Sequence, residues 1–107
     1  MGYTVQKGMS DLAGRFQKEQ ALGINATVQF QITGEQAATY HMIIKDQHLS
    51  LKESAAEKPD LTLTMSTVDF LDLMTGRLEG AAAFVSGKLK VTGDMMLAMQ
   101  LAAIFFS

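Results

Sequence analysis

Five short segments of this chain alternate apolar and polar residues, and this pattern constrains the fold more than any other feature of the sequence. The clearest segment is Ile24–Ile32, where every second residue is apolar and Asn, Thr or Gln stands between. The same alternation predicts strands over Ala37–Ile44, His48–Lys52, Asp60–Met65 and Lys88–Thr92. Because each strand has one polar face, we expect an α+β fold whose sheet meets water on one face and helices on the other.

The links between the predicted strands favour a mainly antiparallel, five-stranded sheet. Polar turns at 33–36 and 45–47 join the first three strands into a meander. The link from the fourth strand to the fifth, residues 66–87, is long enough for a helical crossover. One residue breaks the alternation, since Ile43 is apolar in the row of the second strand that should face outward.

Apolar spacing predicts three helices before the last strand, of which the third is short. Val5, Met9, Leu12 and Phe16 form a narrow stripe on a first helix that should end near 22–23. A second helix is predicted over 67–75, with Ser66 as its N-cap, Asp69 completing a capping box and Gly76 following its end. Its apolar residues spread over roughly 220°, so two of its sides need cover. Residues 80–86 predict a third helix or turn.

The final segment, Met95–Phe106, is apolar on every side. Only Gln100 interrupts it, and Asp94 stands in front as a helix cap. It is too short for a membrane span, which needs about 20 residues. A small protein cannot easily surround such a helix, so part of its apolar surface should be left for something else to cover.

Methionine is frequent among the residues predicted to face inward. The set consists of Met42, Met65, Met74, Met95, Met96 and Met99. Flexible thioether side chains adapt to ligands of varied shape, although most buried methionines only fill a core. Together with the two wide-faced helices they favour an internal apolar binding site, and an interface between subunits is the main alternative.

Length and charge exclude several classes of protein. The 107 residues predict a single domain over 1–107. A net charge of −2 with no basic cluster argues against nucleic acid as a partner. The chain has no Cys, hence no disulfide and no thiolate nucleophile.

No constellation for catalysis or metal binding is visible, so we expect neither an enzyme nor a cofactor. His41 and His48 have no partner at ligand spacing and are predicted to be solvated strand residues. Gly80–Lys88 does not have the spacing of a phosphate loop, and the carboxylates are scattered singly. The only arginines, Arg15 and Arg77, are surface charges or partners for an anionic headgroup at the mouth of a pocket.

Residues 60–65, 69–78 and 83–99 resemble the sterol carrier protein type 2 domain. The resemblance implies a five-stranded sheet covered by helices on one face, around a hydrophobic tunnel for sterols, fatty acids or fatty acyl-CoA, and no enzymatic activity of its own. The residues that it places in the tunnel wall are Phe70, Leu73, Met74, Phe84, Val85, Met95, Met99 and Leu101. Ile104 and Phe105, on the same final helix, complete the candidate set.

The resemblance has departures that bear on partners and location. Gln100 stands where the family often has Lys, which leaves the final helix neutral. There is no long apolar run near Met1, and the last residues, Phe105-Phe106-Ser107, differ from the Ser-Lys-Leu peroxisomal signal, so a cytoplasmic location is expected. The expected partner is a lipid or fatty acyl ligand, with transient membrane contact. The alternatives are a dimerisation or interaction domain that uses the final helix, and an accessory domain that presents lipids to an enzyme.

Overall fold

The computed structural model describes residues 3–106, and Phe106 by its backbone alone. The strands are β1 (Ala26–Thr33), β2 (Ala38–Lys45), β3 (His48–Lys52), β4 (Leu61–Ser66) and β5 (Lys90–Gly93). The helices are α1 (Val5–Gly14), α2 (Thr67–Met74), α3 (Gly80–Val85) and α4 (Met95–Phe106), with a 3₁₀ turn at Lys18–Ala21. None of these helices is long and apolar enough to cross a membrane.

The strands form one open sheet in the order β3-β2-β1-β4-β5. All neighbours are antiparallel except β1 and β4, which run parallel. The α+β class and the mainly antiparallel sheet are therefore as predicted. The prediction of a helical crossover between the fourth and fifth strands is wrong, because a crossover joins parallel strands. β5 instead pairs antiparallel with β4, with Leu63 opposite Val91. The link through α2 and α3 instead returns the chain, reversed, to the free edge of β4.

The inner face of the sheet and the helices above it enclose the core. Val28, Met42 and Leu61 lie opposite one another on β1, β2 and β4 and are almost completely buried. The helical side of the core consists of Val5, Met9, Leu12, Phe70, Met74, Leu97, Leu101, Ile104 and Phe105. The helices thus cover one face of the sheet, as the alternation predicted.

The outer face is polar but is not open to water everywhere. Residues 53–60, which we call the strap, connect β3 to β4 and must pass over β2 and β1. The ring Nδ1 of His41 donates to the carbonyl of Ser54 at 2.7 Å, and the amide of Ala56 donates to Oε1 of Gln29 at 2.9 Å. Both side chains are only 7% exposed, so the solvated position predicted for His41 is wrong. The cause is the strand order, which separates β3 from β4 by roughly 14 Å at the usual strand spacing.

The helix caps agree with the sequence. Ser66 Oγ accepts from the amide of Asp69 at 3.1 Å at the start of α2, and Gly76 follows its end with φ +82°. Asp94 Oδ1 accepts from the amide of Leu97 at 3.1 Å and caps α4. β5 begins at Lys90, two residues later than predicted, because the amides of residues 88 and 89 both bond the carbonyl of Ala83 and close α3.

The predicted end of the first helix is wrong. α1 ends at Gly14, and after three intervening residues Lys18–Ala21 form a separate 3₁₀ turn. The amide of Gln17 donates to the carbonyl of Ile104 in α4, at 3.0 Å, instead of continuing the helix. Gly14 also favours an end here, since glycine lowers helix propensity by about 1 kcal/mol relative to Ala.

Candidate functional site

Helix α4 is the centre of the candidate site because it carries no charge and is only half covered. Leu97, Leu101, Ile104 and Phe105 are buried against the sheet and the rest of the helical layer. On the opposite half, Met96 and Met99 are 68% and 71% exposed, Met95 is exposed as well, and Gln100 is the only polar side chain. The helix therefore presents an apolar surface to its surroundings, as the sequence predicted.

The C-terminal part of α4 is held to the segment that follows α1. The amide of Gln17 bonds the carbonyl of Ile104, and the rings of Phe16 and Phe105 lie 6.1 Å apart at a tilt of 51°. A tilted pair at this distance contributes about 0.5–1.5 kcal/mol beyond its buried area. These contacts fix the position of the last turn of α4 above the core.

Helix α2 places Phe70 and Met74 in the core and leaves Leu73 partly buried. The ring of Phe70 lies directly against Gly8 of α1: a Cβ at Gly8 would stand 2.6 Å from Cε2 of that ring. Of the two covered sides predicted for α2, α1 supplies one and the sheet supplies the other. Val68 remains exposed.

Helix α3 is short and mostly exposed. Only Ala83 is buried, whereas Val85 is 85% exposed and Phe84 is about half exposed. The ten predicted site residues therefore fall into two groups. The deep group is Phe70, Leu73, Met74, Leu101, Ile104 and Phe105, and the surface group is Phe84, Val85, Met95 and Met99.

The two arginines have different surroundings. A guanidinium N–H of Arg15 donates to the carbonyl of Met74, the last residue of α2, at 2.9 Å. A cation at this position interacts favourably with the negative end of the helix dipole. Arg77 is exposed in the turn after α2.

The titratable groups with shifted pKa values lie apart from α4. Burial and a 2.6 Å hydrogen bond from its hydroxyl to Asp11 raise the pKa of Tyr3, and the same bond, with Lys7 nearby, lowers the pKa of Asp11. Burial on the inner face of β2 raises the pKa of Tyr40. Within residues 3–106, no cluster of three or more His, Asp or Glu side chains could hold a metal ion.

Two open cavities lie outside the helical layer's core. One, of about 230 Å³, borders Asp60, Asp94, Leu97 and Gln100. The other, of about 410 Å³, lies on the outer face of the sheet under the strap and borders Thr27, His41 and Ile43. Sequence reasoning missed this second cavity. The sequence feature that points to this cavity is Ile43, which is apolar although the other outward-facing positions of the second strand are polar.

Comparison with known proteins gives a consistent result. Residues 11–106 match the model of the SCP-2 sterol transfer family. Human sterol carrier protein 2 is 44% identical over 68 residues, which are 64% of this chain and 12% of the relative. Bovine sterol carrier protein 2 is 36% identical over 100 residues, or 91% of this chain and 18% of the relative. The chain thus spans less than a fifth of these relatives.

Other matches include domains of enzymes. Peroxisomal multifunctional enzyme A of Dictyostelium discoideum is 47% identical over 51 residues, 48% of this chain and 12% of the enzyme. A double mutant of the sec-alkyl sulfatase PisA1 has the same fold over 97% of this chain and 16% of its own, with a TM-score of 0.81 and 21% identity.

A solved chain of similar length has this fold too. The solution structure of palmitated SCP2L2 from Aedes aegypti matches 97% of this chain and 96% of its own, with a TM-score of 0.77 and 21% identity. Since the family model covers the sheet, α2, α3, α4 and the last turn of α1, the chain belongs to the SCP-2 sterol transfer family.

Proposed function

We propose that this chain binds one long-chain fatty acid, fatty acyl-CoA or sterol between its helical layer and the sheet, in an apolar tunnel, and transfers it within the cell. One observation carries the proposal: α4 has no charged side chain, one half of it borders the core, and the other half is uncovered. Family membership supports it, and so does the palmitate bound to a relative with the same fold.

The two groups of site residues have different roles in this proposal. The deep group, represented by Phe70 and Ile104, is closely packed with the inner face of the sheet. An acyl chain must displace some of these side chains to enter. The surface group, represented by Met95 and Met99, borders the opening, where flexible methionines adapt to chains of different length.

A charged headgroup needs a cation near the opening. We assign this role first to Arg77, which is exposed in the turn after α2. Arg15 is the second candidate, because one of its N–H groups already bonds the carbonyl of Met74. Exchange of Arg77 for Gln should weaken binding of palmitate more than binding of a neutral sterol.

Native mass spectrometry combined with thermal unfolding tests this function. We expect a monomer that carries one palmitate or sterol, and a rise in melting temperature when the lipid is added below its critical micelle concentration. Binding to the native state alone adds about 2.7 kcal/mol of stability at a hundredfold excess over Kd. The absence of a lipid adduct and of any melting shift with fatty acids, acyl-CoA and sterols would refute the proposal.

A second candidate is a dimerisation or interaction domain, favoured by the exposure of Met96 and Met99. In that case a second copy covers the free half of α4. Analytical ultracentrifugation of the wild type and of Met99→Glu distinguishes the two functions. A wild-type dimer that this substitution dissociates, with no lipid bound, would support the interaction domain.

We also propose that the chain itself has no catalytic activity, and that it either acts alone or presents lipids to an enzyme. The enzymes among its relatives are much longer proteins in which this chain matches a minor part. Incubation of the chain with fatty acyl-CoA, followed by mass spectrometry, should show no turnover.

A further inference from the structure

The outer face of the sheet holds a cavity of about 410 Å³ on the side opposite the helices. β1 and β2 form its floor and the strap forms its wall. The bordering residues are Thr27, His41, Ile43, Ala55, Ala56, Glu57 and Lys58. The sheet separates this cavity from the proposed lipid site, so the two are independent.

His41 is the polar group best defined in this cavity. It is 7% exposed, and its Nδ1 lies 2.7 Å from the carbonyl of Ser54. Because a carbonyl only accepts, Nδ1 must carry the proton. In the neutral ring, Nε2 is then a hydrogen-bond acceptor. No hydrogen bond within residues 3–106 reaches Nε2, and since no polar side-chain atom there is both buried and unpartnered, Nε2 is accessible to solvent.

The remaining lining is apolar with balanced charge. Ile43 and the methyl groups of Ala55 and Ala56 supply the apolar part, and Ile43 lies opposite Thr27 in the outer row. Glu57 and Lys58 are exposed neighbours of opposite sign, so they give the cavity no net charge. This combination disfavours both anions and cations as ligands.

We propose that this cavity is a second binding site, for a small neutral molecule that has an apolar ring or short chain and one hydroxyl group. The hydroxyl donates to Nε2 of His41, and the apolar part contacts Ile43 and the two alanines. Pockets with an apolar lining and few polar groups bind such ligands, and the polar groups fix their orientation. The apolar Ile43 in a polar row is consistent with this role, and so is the position of His41 beneath the strap.

The test is an NMR titration of the ¹⁵N-labelled protein with phenol, at a pH at which both phenol and the imidazole are neutral, and with benzene as the matched probe without a hydroxyl. We expect saturable shifts of the amides of Thr27, Ile43 and residues 55–58, and an upfield movement of the Nε2 resonance of His41. Benzene should bind about tenfold more weakly, which corresponds to one lost hydrogen bond of about 1.4 kcal/mol.

Two variants distinguish a binding role of His41 from a purely structural one. His41→Phe removes the acceptor together with one anchor of the strap, whereas Gln29→Leu removes only the other anchor. We expect phenol binding to be lost in the first variant and kept in the second. Loss in both variants would show that His41 only anchors the strap. Three other results would also overturn the proposal. They are equal affinity for phenol and benzene, chemical-shift changes confined to the helices, and no saturable change in the wild type.

Discussion

At the scale of single residues, the contact between Gly8 and Phe70 sets how closely α1 approaches α2. A Cβ at Gly8 would lie 2.6 Å from the Phe70 ring, which is fully buried. Overpacking of this kind costs about 1–3 kcal/mol, more than the gain of about 1 kcal/mol from replacing glycine in a helix. The absence of a side chain at this position is therefore a packing requirement.

We expect Gly8→Ala to lower the free energy of unfolding, measured with urea. Gly14→Ala is the control, because no atom lies within 4 Å of the added Cβ, and it should be neutral or stabilising by up to about 1 kcal/mol. Adding Phe70→Leu to Gly8→Ala should recover part of the loss. A Gly8→Ala protein as stable as the wild type would show that the Phe70 ring moves freely.

A second prediction at this scale concerns the outer face. Gln29→Lys places a charge under the strap and removes the acceptor of the Ala56 amide. We expect it to lower the free energy of unfolding by at least about 1 kcal/mol, and by about 3 kcal/mol if the amide stays buried without a partner. Thr62→Lys, at the neighbouring position of the same row, should cost less than about 1 kcal/mol. Similar losses in urea unfolding would mean that the strap does not cover Gln29.

Residues whose environment is local could be predicted from the sequence. Ser66 and Asp94 cap the helices that their spacing indicated, and the inward residues of β1 are buried as the alternation required. His41 and Gln29 could not, because their burial depends on the path of the strap. That path follows from the strand order, which the pattern of a single strand does not contain.

At the scale of elements, α4 combines two surfaces that its sequence does not distinguish. Both halves are apolar, yet Leu97 and Leu101 are buried whereas Met96 and Met99 are exposed. Apolar periodicity could predict the helix but not which half faces the core. The contacts of Phe16 and Gln17 with the last turn settle its orientation, and they arise only from tertiary packing.

Alanine substitutions along α4 should therefore fall into two classes. Leu97→Ala, Leu101→Ala and Ile104→Ala should each cost about 2–5 kcal/mol in thermal or urea unfolding, because each leaves a cavity in the core. Met96→Ala and Met99→Ala should change stability by less than about 0.5 kcal/mol. If Met99 borders the lipid, its substitution should also weaken retention of palmitate. Large losses of stability in both classes would indicate that the exposed half is covered in solution, as in a dimer.

At the scale of the whole molecule, the two faces of the sheet have different chemistry. The helical layer carries Val68, Phe84, Val85, Met95, Met96 and Met99, all exposed apolar side chains. The outer face carries Thr, Gln and Lys residues with the strap across it. This difference between the two faces follows from the alternation of apolar and polar residues along the strands. The proposed lipid site therefore lies on the helical face of the sheet.

The most direct measurement is an NMR experiment with ¹³C-labelled palmitate and selectively methyl-labelled methionine. The eight methionines serve as probes, and three of them, Met74, Met95 and Met99, belong to the proposed site. We expect nuclear Overhauser contacts between the acyl chain and the methyl groups of these three residues, at a stoichiometry of one palmitate per monomer. Contacts confined to other parts of the protein, or no contacts at saturating palmitate, would contradict the proposal that the lipid binds under the helical layer.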